Sequence, residues 1–352
     1  MKMATKERKK DHLEIAVRER VECEERYFDE VLLVHNALPE VDFREIDTST
    51  VFLGKRLKLP LMIAALTGGT KRAGEINRKL AAIAEEFGIG FGLGSQRIML
   101  EDPRTRNTFY VRDVAPTTLV VGNIGITELK RRRSEEIREV LEAVECDAIA
   151  VHLNPAQEVF QRVGEGELDW RGCESALREF CRKIGFPVIA KEVGCGISKE
   201  VALRLRDCGV AAIDVGGKGG TNWIKIESMR SGRNAENFLG WGIPTPLAIL
   251  EAKVAELPIV ATGGVRTGLD VAKAIALGAD IAGIALPFLR ILEMEGEDGV
   301  RKYLQQLEFE LRVAMFLVGA KKVSELKRAK FVLSERLLNW LRQREFDAAV
   351  LI

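Results

Sequence analysis

The feature that most constrains this chain is a rhythm. From residue 60 onward, short apolar runs alternate with amphipathic stretches. The runs are Leu61–Leu66, Ile89–Leu93, Leu119–Ile124, Ala148–Leu153, Pro187–Val193, Ala211–Val215, Ile259–Thr262 and Ile281–Pro287. Between them lie helical patterns such as Glu75–Phe87, Ser134–Val144, Cys173–Ile184, Ser198–Cys208 and Leu269–Leu277. Apolar runs of about 4–8 residues without clean alternation read as parallel strands buried on both faces. Eight strand-then-helix units predict an α/β fold, a closed (β/α)8 barrel of the TIM-barrel class. An open doubly wound sheet is the competing arrangement.

The 352 residues read as one domain with three additions. Residues 1–59 form an N-terminal extension, with helix predicted around Leu13–Tyr27, and Phe52 and Leu53 reading equally as core or interface. Residues 60–296 carry the barrel, with 224–246 interrupting the unit after strand six. Residues 297–352 form a helical tail. Charge is balanced at net +1, which argues against nonspecific nucleic-acid binding. No apolar run approaches the ~18 residues of a membrane helix. Met1 to Lys10 is charged with no apolar segment behind it, so no secretory leader is expected. The six cysteines form no C-x-x-C pair and read as reduced, mostly buried thiols.

In such barrels the chemistry sits at the C-terminal ends of the strands. Here those ends are rich in glycine and polar groups. Gly263-Gly264-Val265-Arg266 precedes a helix, so its amides can cradle an anion at the helix N-terminus. Gly219-Gly220-Thr221-Asn222 adds amides and a hydroxyl at the same end, which suggests an anchored phosphate. Lys191 ends an otherwise apolar strand and must be solvated or paired. It reads either as an ion pair with Glu192 or Asp214, or as a cation facing an anionic ligand. His152, Asn154, Gln157 and Glu158 stand within seven residues. Glu158 fits a Mg²⁺ ligand completed by phosphate oxygens, while Asn154-Pro155 with Glu158 also fits a plain helix start. Arg8-Lys9-Lys10-Asp11-His12 reads as a solvated charge run or as a lid bringing cations to a diphosphate; such a terminus is expected to order on ligand binding.

Taken in order, these motifs resemble those of the type 2 isopentenyl diphosphate isomerases over nearly the whole chain. The resemblance rests on Arg8-Lys9-x-x-His12, Thr67-Gly68-Gly69, Gly94-Ser95-Gln96-Arg97, His152-Leu153-Asn154-Pro155-Ala156-Gln157-Glu158, Lys191-Glu192, Gly219-Gly220-Thr221-Asn222-Trp223 and Gly263-Gly264-Val265-Arg266-x-Gly268. Cys195, in Val193-Gly194-Cys195-Gly196, is the one local oddity. The resemblance implies FMN as cofactor, Mg²⁺ for the substrate diphosphate, NAD(P)H as flavin reductant, and a cytoplasmic homotetramer or larger homo-oligomer acting on the small molecule isopentenyl diphosphate. It implies FMN contacts at Ala65, Leu66, Thr67, Ser95, Asn123, Lys191, Thr221, Gly263, Gly264, Arg266, Ala285 and Leu286. Diphosphate contacts fall on Arg8, Lys9, His12, Ser95, Arg97, His152, Asn154 and Gln157, with Glu158 on the metal. Lys191, Gln157 and His152 are the expected catalytic residues.

The implied reaction adds a proton at one carbon and removes one from another. An alkene is a very weak base, poorly matched to an ordinary side-chain acid. A reduced flavin would therefore carry the hard step. The main alternative is an FMN-dependent barrel oxidoreductase, and the tail segment 310–326 resembles the 2-hydroxy-acid oxidases. Those enzymes use a histidine late in the barrel, and no histidine follows His152. An IMP-dehydrogenase-like mechanism needs a cysteine after strand six, and Gly216–Trp223 has none. A flavin-free phosphosugar isomerase and a noncatalytic scaffold complete the alternatives.

Overall fold

The computed structural model describes residues 2–346, with side chains from residue 7 onward. Eight parallel strands close into a barrel: Leu61–Ile63, Gly90–Gly92, Val120–Gly125, Ala148–Leu153, Val188–Glu192, Ala212–Asp214, Ile259–Thr262 and Ile281–Ile284. The last pairs with the first through Ile284 and Ile63, so no sheet edge remains in the barrel. Each strand falls inside one of the apolar runs except Val120–Gly125, which continues one residue past its run. The strands are fully paired and face helices outside and side chains inside, which is why they carry no polar alternation.

The barrel floor is closed by the extension. Thr50–Phe52 and Lys55–Leu57 form a hairpin around Leu53-Gly54, both at positive φ (47° and 79°), the backbone of a tight two-residue turn. The hairpin drives Phe52 and Leu57 up among Met62, Val121, Ala150, Ile189 and Val260. Phe52 is therefore core, and Leu53 packs against the same cluster.

Two expectations for the additions need correction. The N-terminal helix spans Lys2–Arg18 and not the Leu13–Tyr27 region. Beyond it the chain extends because residues 21–23 bond to the loop after strand six: Asn222 donates to the Val21 carbonyl and Cys23 to the Gly220 carbonyl, both at 2.8 Å. The 224–246 segment is not a simple interruption either. It holds most of the helix Trp223–Ser231 and the start of Thr245–Lys253, so strand six is followed by two helices. The eighth barrel helix runs on into the tail as Leu286–Val318, broken at Gly296 (φ 73°, ψ −165°). Tail and extension also pair, Val31–Leu333 being the outer strand contact.

Candidate active site

Every candidate site residue read from the sequence lines one cavity at the C-terminal mouth of the barrel. The N-terminal helix covers this mouth with Arg8, Lys9, His12, Leu13 and Ala16.

One side of the cavity is backbone. A Cβ on Gly264 would sit 2.5 Å from the Gly219 carbonyl oxygen, and one on Gly220 would sit 2.7 Å from the Gly264 nitrogen. The loops after strands six and seven thus touch main chain to main chain, which only glycine permits. Part of the anion cradle read from the sequence is taken up by the protein. The Arg266 and Thr267 amides donate to Asp270 and the Gly268 amide donates to Glu310, so these three are already occupied. The cavity wall is the glycine turn before that helix, together with Ala285 and Leu286 at the start of Leu286–Val318. Arg266 stands beside them. Its guanidinium donates to the Val265 carbonyl at 2.9 Å, and burial lowers its pKa from the usual arginine value.

Across the mouth is a second cationic group. Arg8 donates to Gln161 at 2.8 Å and Lys9 to the Ser95 carbonyl at 2.7 Å. Among the described residues, neither they nor Arg266 form an ion pair with a carboxylate. Burial, and then Arg8, pull the Lys9 ammonium down to about 7. Arg97 is steadied by Glu101 and by Glu128, each at 3.2 Å. His152 Nδ1 lies 2.8 Å from Asn123 Oδ1. Burial, followed by Lys191, Arg8, Lys9 and Arg97, pushes His152 down to about 3, so its imidazole is neutral.

The strand-four cluster forms a network. Asn154 takes the N-cap place of helix Pro155–Phe160, yet its side chain makes no capping bond. It donates instead to Gln157 at 3.0 Å and to Glu158 at 2.8 Å. Glu158 accepts a second bond from the Glu167 amide at 2.7 Å. One donor on each oxygen leaves lone pairs for a cation. Among the described residues no group of three or more His, Cys, Asp or Glu is placed to hold a metal.

Sequence reasoning missed Glu227. It is fully buried and accepts from His12 at 2.8 Å, Gln157 at 3.0 Å and Arg230 at 2.8 Å. Burial alone would raise its carboxyl, but His12 and Arg230 hold it at about 2. It lies inside a helix of mixed polarity, where no local pattern marks it.

Lys191 combines its two readings. Nζ lies 2.9 Å from Asp214 Oδ2, 3.0 Å from the Glu192 carbonyl and 3.3 Å from Thr262 Oγ1, and the residue lines the cavity. Asp214, not the Glu192 side chain, is its ion-pair partner. The Glu192 carboxylate accepts from the Val193, Gly194 and Cys195 amides at 2.5–2.6 Å. Cys195 faces a separate cavity on the outer side of strands four and five, and burial pushes its thiol up to about 12.

The chain matches the FMN-dependent dehydrogenase family over residues 14–108 and 123–333. It is 45% identical over 345 residues to an isopentenyl-diphosphate delta-isomerase of Archaeoglobus fulgidus, covering 96% of this chain and 99% of that one. An enzyme of the same name from Thermococcus onnurineus is 45% identical over 352 residues, covering 96% and 94%. In Methanopyrus kandleri the corresponding enzyme is 45% identical over 349 residues, covering 96% and 95%. Among solved structures, mandelate oxidase with benzaldehyde shares the fold at TM-score 0.65 and 20% identity, covering 94% of this chain and 98% of that one. Mandelate oxidase with (S)-2-phenylpropionate gives 0.64 and 21%, covering 92% and 97%. At that identity the oxidases attest the barrel alone, whereas the full-length relatives place this chain in the isopentenyl-diphosphate delta-isomerase family, built on the FMN-dependent dehydrogenase fold.

Proposed function

We propose that this protein converts isopentenyl diphosphate to dimethylallyl diphosphate by a 1,3-allylic proton shift with no net redox change. The observation that carries this reading is the pair of cationic groups in one cavity. Arg266 follows strand seven, while Arg97 and His152 belong to strands two and four, on the other side of the ring. Arg266 on one side, and Arg8 and Lys9 on the other, have no carboxylate partner among the described residues, while Arg97 is held toward the cavity by Glu101 and Glu128; two such sites suit two phosphate esters at once. One is the FMN phosphate, at Gly263, Gly264, Arg266, Ala285 and Leu286. The other is the substrate diphosphate, at Arg8, Lys9, His12, Ser95, Arg97, His152, Asn154 and Gln157. Ala65, Leu66, Thr67, Asn123 and Thr221 complete the flavin bed.

Reduced FMN, when bound, supplies the proton donor and acceptor that no side chain here matches. The chain's own residues bind, orient and exclude water. Glu158 is the carboxylate that would hold Mg²⁺ for the diphosphate. Lys191, fixed by Asp214, holds a positive charge at the cavity wall, where it would stabilise an anionic reduced flavin. Gln157 is locked between Asn154 and Glu227, so its amide is presented in one orientation. Neutral His152 adds a hydrogen-bonding group without adding charge. Leu13 and Ala16 of the N-terminal helix roof the cavity and shed water. NAD(P)H serves only to reduce the flavin.

We further propose one FMN-binding domain over residues 1–352, working as a cytoplasmic homotetramer. No helix among the described residues is long and apolar enough to cross a membrane. The extension and tail leave Leu32, Val34, Leu38, Phe309, Leu317 and Val332 exposed on neighbouring segments, apolar surface of the kind that subunit contacts cover. Light scattering of Leu32→Ser with Val332→Ser should show a smaller assembly than the native protein.

The deciding experiment is anaerobic NMR of the protein with FMN, Mg²⁺, NADPH and isopentenyl diphosphate. New allylic methyl signals that need reduced FMN, without proportional NADPH consumption, support the proposal. Bound FMN with no such signals favours the oxidoreductase, and failure to bind FMN favours a phosphosugar isomerase.

A further inference from the structure

Phe109 lies between two parts of the site that come from distant segments of the chain. Its ring is fully buried. On one side it packs flat against the strand-one loop, where a Cβ on Gly68 would fall 2.0 Å from Phe109 Cε1. The Lys9 ammonium of the N-terminal helix sits over the same ring, 5.1 Å from its centroid.

The ring is held in place from behind. Thr108 Oγ1 accepts from the Gly69 amide at 2.8 Å. The Thr108 carbonyl accepts from Asn77 at 2.9 Å, and Asn77 also donates to the Thr67 carbonyl at 3.2 Å. Phe109 is thus anchored to the loop that lines the cavity with Thr67.

Lys9 needs such support. Burial favours its neutral form, and Arg8 adds repulsion. Its one hydrogen bond to a described residue goes to the Ser95 carbonyl. A π face attracts an ammonium electrostatically without neutralising it. A carboxylate in the same place would compete with an incoming anion, whereas the ring leaves the charge available. It also leaves two of the ammonium's three donors for phosphate oxygens while the third stays on the Ser95 carbonyl.

We propose that Phe109 is a positioning residue for diphosphate recognition, its ring keeping the Lys9 amino group aimed into the cavity while tying the N-terminal helix to the strand-one loop. This rests on the reading of Lys9 as a diphosphate contact, and the test separates the two.

The test is steady-state kinetics of the FMN- and Mg²⁺-loaded enzyme with isopentenyl diphosphate, for Phe109→Leu and Phe109→Met, each in the native and the Lys9→Met backgrounds. Flavin saturation and thermal melts report folding, and the two aliphatic replacements differ in how well they fill the ring's space. Either folded variant should raise KM about 3- to 30-fold, the range such a contact supplies. kcat should stay within about twofold, since the contact orients a binding group only. In the Lys9→Met background the further rise in KM should vanish. An unchanged KM in a folded, flavin-saturated variant overturns the proposal. So does an equal rise in both backgrounds, which marks Phe109 as packing alone. If Lys9→Met by itself leaves KM unchanged, the diphosphate reading of Lys9 fails, and the proposal with it.

Discussion

Asn123 Oδ1 lies 2.8 Å from His152 Nδ1 and so fixes how that imidazole is protonated. With a carbonyl oxygen as acceptor, Nδ1 carries the proton and Nε2, beside Gly125, keeps a lone pair. A neutral imidazole and a weakly basic Lys9 are what a cavity crowded with cations dictates before any anion arrives.

Diphosphate binding should therefore take up protons. His152 and Lys9 are held at about 3 and about 7, both below their ordinary values. An anion between them raises both, so complex formation near about pH 8 should absorb roughly one proton per site. Titration calorimetry in buffers of different ionisation enthalpy reads this directly. Heats independent of buffer would contradict it, and Lys9→Met should lose most of the uptake. The same depressed values act on stability: without ligand the unfolded chain binds more protons, so the His152 contribution grows as pH rises from about 3 to about 6.5.

Removing the charge of Lys191 should reduce turnover more than folding, once its partner is neutralised too. Lys191→Ala alone leaves the buried Asp214 carboxylate unpaired, which costs about 3–5 kcal/mol for such pairs. Lys191→Met with Asp214→Asn removes that complication. This double variant should melt near the native temperature yet lose about 100-fold or more in turnover, the scale of a lost preorganised charge. Near-normal turnover would rule out the proposed role for Lys191.

Glu227 should link acid stability to the closed N-terminal helix. Its carboxyl is held at about 2, below the usual 4.5, by His12 and Arg230 against the opposing effect of burial. The stabilisation is complete above about pH 4.5 and is lost as pH falls toward about 2, amounting to about 3 kcal/mol at most. Glu227→Gln should flatten this acid limb of the melting curve and raise KM by loosening His12 and Gln157. An unchanged acid limb would refute it.

Gly264→Ala should impair flavin binding. The residue has φ 88° and its new Cβ would meet the Gly219 carbonyl. Backbone strain of this kind costs about 1–3 kcal/mol, concentrated where the two glycine loops face the cavity. Fluorescence titration with FMN should show affinity about tenfold weaker or worse, with the barrel's circular dichroism retained. Unaltered affinity would place the phosphate elsewhere.

The N-terminal helix should gain protection on ligand binding. Its cationic residues meet carbonyl and amide oxygens at the mouth, and its ion pair to the barrel's Glu227 runs through His12. Hydrogen exchange over residues 7–18 should slow when diphosphate and Mg²⁺ are added. Equal exchange with and without them would mean the lid is closed throughout.

The barrel was legible in the sequence because its cause is local. A strand buried on both faces must be apolar throughout, and a helix packed on it must be amphipathic, so the alternation from residue 60 prescribes the architecture. The glycine-rich strand ends and the out-of-place Lys191 were equally visible, since each breaks a local rule. Other features depended on which segments meet. The partner of Lys191 is Asp214 because strands five and six pair in a register that sets Lys191 beside Asp214. The first amide of helix Gly268–Leu277 is closed to an anion because Glu310, 42 residues away, reaches back to cap it. Glu227 and Phe109 act through contacts with the far N-terminus, and nothing in their own neighbourhoods records that. The sequence by itself determined the elements and the chemistry gathered at their ends; only the tertiary structure decided which charges are satisfied by the protein and which are left for a ligand, because pairing over long sequence distances is set by packing and not by local propensity.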